Sequence, residues 1–258
     1  MITLTSDFGL IDPYVAQMKG VLLSINPKAT LVDLTHSVEK YNIRHGAFIL
    51  ASAAPFFPKG TVHLAVVDPG VGTERRAIVI QTKQAFFVGP DNGVLMLSAK
   101  NQGIEHIHQI TDSKFFLSQV SNTFHGRDVF APVAAYTDNG VAPSAFGPEL
   151  SDAVEPKFAT VKKNANYYVG EILHIDGFGN IISNITTHES IFAKTVKVKL
   201  SNQKLLLSFC KTYGQVKLRQ AIALFGSHGF LEIALNQGSA AEKFSVKVGD
   251  TIEVEFKV

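Results

Sequence analysis

Apolar residues along the first 150 positions come in short runs separated by helix-length stretches. Ile2 to Leu4, Thr30 to Leu34 and Val62 to Val67 read as strands, while Tyr14 to Asn26 and Arg44 to Ala54 carry apolar positions at helical spacing. Strand, helix, strand in that rhythm predicts an α/β layer with mostly parallel pairing. Asn26-Pro27 and the run Phe57-Pro58-Lys59-Gly60 supply the helix stops that this reading needs. Two more strands fit Ala77 to Thr82 and Ala85 to Val88, and Asp128 to Asp138 reads as a further helix. From Pro148 to Asn166 the period lapses, as in a connector. Beyond it the period is two: in Thr251 to Phe256, residues Ile252, Val254 and Phe256 face one way and Glu253 and Glu255 the other. The expectation is therefore an N-terminal α/β domain over residues 1–160 with a mostly parallel sheet. A C-terminal β-rich domain, a small antiparallel barrel or sandwich, follows over 167–258.

Composition narrows the function classes. Among 258 residues, 24 Lys and Arg stand against 22 Asp and Glu, a balance that builds no field for grasping a nucleic-acid backbone. No apolar run approaches the length of a bilayer span, and Met1 to Asp7 reads as a first strand instead of an export signal, so no membrane association and a cytoplasmic location are expected. Cys210 is the single cysteine and reads as a small core side chain.

Four loops that follow strands are rich in Asp, Gly and Asn: Ser6-Asp7-Phe8-Gly9, Asp68-Pro69-Gly70-Val71-Gly72, Gly89-Pro90-Asp91-Asn92-Gly93 and Asp176-Gly177-Phe178-Gly179-Asn180. Ligands of open α/β sheets bind outside the carboxyl ends of strands, where the first two loops fall, although the same residues also build ordinary turns. Asp7 is suited to holding a ribose diol or to capping a turn. Asp68 ends the most apolar strand, and Arg75 and Arg76 follow a Gly-rich turn able to return a guanidinium to it. His125 stands before the helix expected from Asp128, where it serves either as a partner in deprotonating water or as a hydrogen bond at the start of the helix. Glu105-His106-Ile107-His108 puts two imidazoles on one face of a strand, but no third ligand stands at a telling distance, and no metal is expected. Phosphate loop, Gly-x-Gly-x-x-Gly fingerprint, nucleophile elbow and kinase loops are all missing.

Six segments in one order resemble the S-adenosylmethionine hydrolase family, also called the hydroxide adenosyltransferases, relatives of the fluorinase and chlorinase. They are Ser6-Asp7-Phe8-Gly9 with Asp12 and Tyr14; Val67 to Thr73 with Arg75-Arg76; Gly89 to Gly93; Thr123 to Asp128 with Phe130-Ala131-Pro132; Asp176 to Asn180; and Leu231 to Asn236 with Gly238. The resemblance implies hydrolysis of S-adenosyl-L-methionine to adenosine and L-methionine, without a cofactor. It also implies an N-terminal α/β domain, a C-terminal barrel-like domain and a homotrimer with sites between subunits. The family's Asp, Arg, His triad falls on Asp68, Arg75 and His125, with Arg76 the neighbouring candidate. Its substrate contacts fall on Asp7, Phe8, Asp12 and Phe124 and on the Phe178 loop with Asn180. Asp176 would face the methionine ammonium, Tyr213 would stack on adenine, and Ser227, Glu232 and the backbone near Leu235 would line the remaining pocket. In the halogenating branch the position of Asp68 is a tyrosine, and halide-binding features replace Phe124-His125-Gly126. The departures point to water as the nucleophile.

Overall fold

A computed structural model describes residues 1–186 and 193–257. The chain divides into two compact units, Met1–Pro156 and Lys157–Val258.

The first unit is a six-stranded sheet between two helical layers. Its strands are β1 (Ile2–Ser6), β2 (Leu31–Thr35), β3 (Val62–Val66), β4 (Ala77–Thr82), β5 (Phe86–Pro90) and β6 (Ile104–Gln109), and their order across the sheet is β2-β1-β3-β5-β4-β6. The pairs β1–β2, β1–β3 and β3–β5 are parallel; β4 runs antiparallel to β5 and β6. Alternation along the strands decides what each face meets. Val62, Leu64 and Val66 join Ile2 and Leu4 in a core with Met18 and Leu22 of α1 (Tyr14–Ile25) and Val133 and Ala134 of α4 (Ala131–Asp138). Ala65, Val67, Ile78, Ile80 and Phe87 face Leu50 of α2 (Ile43–Ala53) and Ala99 of α3 (Met96–Gln102). Strands buried on both faces explain why they read as unbroken apolar runs. The helix expected from Asp128 begins instead as a π-helical turn, Gly126–Phe130, and becomes α-helical at Ala131, where Pro132 occupies a first-turn position that needs no amide donor.

The second unit is a seven-stranded barrel. It is built from β8 (Tyr167–Ile175), β9 (Ile181–Thr186), β10 (Thr195–Leu200), β11 (Gln203–Phe209), β12 (Ala221–Phe225), β13 (Phe230–Leu235) and β14 (Thr251–Lys257). The order β14-β10-β11-β12-β13-β9-β8 is closed by pairing of β14 with β8, and β7 (Lys162–Asn164) adds an outer strand on β8. Among the described residues one pair of the barrel, β11–β12, is parallel and departs from the antiparallel expectation. Ile252, Val254 and Phe256 point into the core with Val196, Val198 and Leu200, while Lys197 and Lys199 lie opposite Glu255 and Glu253 outside. A short helix, α5 (Ala240–Phe244), starts at Ser239, whose hydroxyl accepts from the Glu242 amide.

The expected connector is divided between the units and is not a free linker. Asp152 and Val154 are hydrogen-bonded to Arg76 and Asp91 of the first unit, whereas Lys157–Ala159 forms a 3-10 turn and β7 pairs within the second.

Candidate active site

Asp68 follows β3, where the chain leaves the sheet. The turn after it is tight: the Val71 amide donates to the Asp68 carbonyl, and the Thr73 amide and hydroxyl both donate to the Gly70 carbonyl. Gly72 has φ of 77°, and a Cβ there would stand 2.3 Å from the Asn122 carbonyl oxygen, so glycine is required by both conformation and space. The reversal brings Arg75 back over Asp68. Its Nε donates to both carboxylate oxygens at 2.9 Å, and its Nη2 donates to Oδ2 as well. The same Nη2 donates to His125 Nδ1 at 3.0 Å. The guanidinium also lies over the Phe130 ring, 5.1 Å from its centroid.

A guanidinium carries only donors, so His125 Nδ1 accepts and the neutral ring holds its proton on Nε2. Burial first, then the Arg75 charge, push the imidazole below the ordinary histidine range, against a smaller upward pull from Asp68 and Asp128. At neutral pH the trio is thus a carboxylate, a guanidinium and an uncharged imidazole.

Two supports hold these groups, and both lie in segments that the sequence singles out without revealing this role. The fully buried Asp128 takes Arg127 Nε at 2.6 Å and the Ser121 amide at 2.8 Å, fixing the loop that presents His125. Asn92 Nδ2 donates to the Val67 carbonyl immediately before Asp68. Asp91 and Asp152 occupy Arg76, which settles the ambiguity between the arginines in favour of Arg75 as the partner of Asp68. Gly89-Pro90-Asp91-Asn92-Gly93 is therefore scaffolding.

Other expected residues of the first unit gather nearby in sequence and fold. Asp7 Oδ2 accepts from the Tyr41 amide at 2.9 Å, and Tyr41 sits at φ of 65°, a link the sequence gives no sign of. Phe8, Tyr14 and Phe124 form an aromatic triangle with centroids 5.2–5.8 Å apart. They line a cavity of about 390 Å³ together with Gln17, Ser121, Thr123 and Arg127. Asp12 is exposed.

In the second unit, Asp176, Phe178, Asn180, Tyr213 and Leu235 line one cleft of about 520 Å³. Asp176 Oδ1 accepts from the Phe178 and Asn180 amides and Oδ2 from Asn180 Nδ2, each at 2.9 Å, so this carboxylate shapes its own loop. Phe178 is left 82% exposed. Tyr213 Oη donates to Glu232 Oε1 at 2.8 Å, and Glu232 is only 2% exposed. Burial, with the Glu232 carboxylate as acceptor, pushes the Tyr213 phenol up to about 12. Ser227 is exposed in the β12–β13 turn, where His228 Nε2 lies 3.4 Å from Glu232 Oε2.

No third ligand stands near the His106–His108 pair in the sequence, but the fold brings one metal-capable side chain beside it. Glu149 forms a β-bridge with His108, and Glu149 Oε1 lies 2.8 Å from His106 Nδ1. It comes from a segment far along the chain, so local spacing could not find it.

Residues 2–147 match the SAM hydroxide adenosyltransferase N-terminal domain, and residues 170–253 match the SAM hydroxide adenosyltransferase C-terminal domain. The chain belongs to the SAM hydroxide adenosyltransferase family. It is 39% identical to the (R)-S-adenosyl-L-methionine hydrolase of Methanocaldococcus jannaschii, over 98% of this chain and 95% of that one. It is 36% identical to the Thermus thermophilus protein of the same name, over 95% of each. A fluorinase from an Actinoplanes species is more distant, at 27% over 98% and 97%. A crystal structure from Thermotoga maritima superposes with a TM-score of 0.84 at 39% identity, covering 98% of this chain and 99% of that one. Among the described residues no helix is long and apolar enough to cross a membrane.

Proposed function

We propose that this protein hydrolyses S-adenosyl-L-methionine to adenosine and L-methionine, with water attacking C5′ in line with the departing sulfur. The observation that carries the reading is the Asp68–Arg75–His125 network, a carboxylate held by three charge-assisted hydrogen bonds beside a neutral imidazole. A sulfonium is already an excellent leaving group, so neither acid nor metal nor cofactor is needed for departure, and the task is placement of water. His125 Nδ1 is engaged by Arg75 and its Nε2 carries the proton, so His125 acts as a donor that orients the water. Asp68 keeps the free acceptor lone pairs. Proton loss follows C–O bond formation, once attack has made the oxygen an oxonium acidic enough to give its proton to the Asp68 carboxylate. A fixed carboxylate also favours the sulfonium cation and repels halide, in keeping with the closer similarity to hydrolases than to fluorinases.

In this reading Asp7 takes the ribose diol through its remaining oxygen, and Phe8, Asp12 and Phe124 line the same half-site. Asp176, Phe178, Asn180, Tyr213, Ser227, Glu232 and Leu235 form the half-site that receives adenine and the methionine end. The two halves close on one substrate between copies of a homotrimer. The substrate is charged and crosses no membrane unaided, which puts the enzyme in the compartment that makes it, the cytoplasm. The relatives' names specify the (R) form, and we extend that preference to this chain.

The test is chromatography of the products from S-adenosylmethionine, with and without chloride, for the wild type and for Asp68→Ala and His125→Ala. Adenosine and methionine formed without halide, and lost in both variants, support the reading. Intact substrate or a halogenated nucleoside from the wild type overturns it.

A further inference from the structure

A second constellation of chemistry-bearing side chains lies on the edge of the first unit's sheet. β6 is the outermost strand, separated by β5 and β4 from β3, which delivers Asp68. At about 4.8 Å per strand that is roughly 14 Å of sheet. His106 and His108, two residues apart on β6, project from one face, with ring centroids 6.2 Å apart. The segment 147–150 runs alongside. The Gln109 amide donates to the Pro148 carbonyl and the Leu150 amide to the Ile107 carbonyl, both at 2.8 Å, and this sets Glu149 opposite His108. The close approach depends on Gly147, where a Cβ would meet the Gln109 carbonyl oxygen at 2.3 Å.

The ring nitrogens are already sorted. His108 Nδ1 lies 3.1 Å from the Gly147 carbonyl, which can only accept, so the proton sits on Nδ1 and the Nε2 lone pair is left available. An imidazole whose other nitrogen donates to a backbone carbonyl is the usual arrangement of a metal-ligating histidine. His106 Nδ1 lies 2.8 Å from Glu149 Oε1, a hydrogen bond that metal binding replaces with a bond from each group to the ion. One potential ligand atom from each of His106, His108 and Glu149 lies within 4.8 Å of the other two. His106 and Glu149 are exposed, so their side chains can draw in to the 2.0–2.2 Å bonds of a zinc-type ion.

We propose that His106, His108 and Glu149 bind a divalent transition-metal ion of the zinc class, with water completing a four-coordinate shell. Two imidazoles and one carboxylate suit Zn²⁺ and its neighbours Co²⁺ and Ni²⁺, whereas Ca²⁺ and Mg²⁺ demand more oxygen ligands than the site offers. The ion clips the 147–149 segment to the edge strand and leaves the hydrolytic trio untouched, so it contributes stability to the first unit and takes no part in the reaction.

Chelator-stripped full-length protein is titrated with Zn²⁺ by calorimetry and with Co²⁺ by visible absorption, alongside His106→Gln, Glu149→Gln and His125→Ala. His106 and Glu149, the two altered ligand positions, are exposed, so the glutamine variants fold, which far-UV circular dichroism checks. The expected result is about one ion per chain, a Co²⁺ band typical of four-coordination, binding weakened at least about tenfold in each glutamine variant, and binding unchanged in His125→Ala. No uptake by the wild type overturns the proposal, as does wild-type affinity in both glutamine variants. Loss of binding in His125→Ala overturns it too, because the ion would then lie at the catalytic trio.

Discussion

Replacing Arg75 by Met keeps most of the side-chain length and its contact with Phe130, while removing every hydrogen bond it gives to Asp68 and His125. The Asp68 side chain is 5% exposed and that of Arg75 11%, so the pair is nearly desolvated. Removing one partner of a buried pair costs about 3–5 kcal/mol, and the lower end applies here because Asp68 is on a loop and can turn toward water. A displacement of the water-holding carboxylate by about 1 Å is worth about 10²-fold in rate, and that loss is expected in kcat. His125 changes as well. Burial and Arg75 both hold its pKa below the ordinary value; without Arg75, burial alone opposes the attraction of Asp68 and the pKa rises. In the wild type, the unfolded chain binds a proton on this histidine at a pH where the native site still refuses one. The contribution to stability is therefore present above the unfolded pKa and is lost as pH falls toward the depressed native one. The acid limb of the wild-type kcat/KM profile should lie below the ordinary histidine value of 6.5, and in Arg75→Met it should move upward. Adenosine release measured by chromatography across pH, with urea unfolding followed by circular dichroism, reads both effects. A variant within about threefold of the wild-type rate, with its acid limb unmoved, would refute the claim that Arg75 organises the trio.

Two further outcomes follow from individual contacts. Tyr213 holds its proton to about pH 12, above the ordinary tyrosine value, so its contribution to stability is complete below that ordinary value and is lost as pH rises through the interval between the two. Tyr213→Phe should remove one high-pH component from the tyrosinate absorbance titration and raise KM with little change in kcat, and an unaltered titration would contradict the assignment. Gly72→Ala should lower activity about 10²-fold or more, because the new Cβ meets the Asn122 carbonyl and forces apart the turn carrying Arg75 and the loop carrying His125. Wild-type activity in that variant would show that the turn tolerates the shift.

Much of this molecule is written locally. The first three strands and two helices of the first unit follow from runs and periods that burial on one face or two imposes, and β14 shows its alternation in full, because each depends only on neighbours along the chain. The motifs around Asp7, Asp68, His125 and Asp176 were visible for the same reason, each being a short loop after a strand or before a helix. Only the fold decided which of two adjacent arginines meets Asp68, since Asp91 and Asp152 draw the other away from positions distant in sequence. The π-helical start at Gly126 is likewise a product of packing, with Asp128 buried against Arg127 and the Ser121 amide. Closure of the barrel through β14 and β8 also lies beyond local pattern, because any edge strand with the right alternation satisfies the period, and pairing is settled by which edges the chain can bring together. The arrival of Glu149 beside His106 and His108 is the sharpest case: a histidine pair two residues apart declares itself in sequence, whereas its acidic neighbour is supplied by a backbone register that exists only once the sheet has formed.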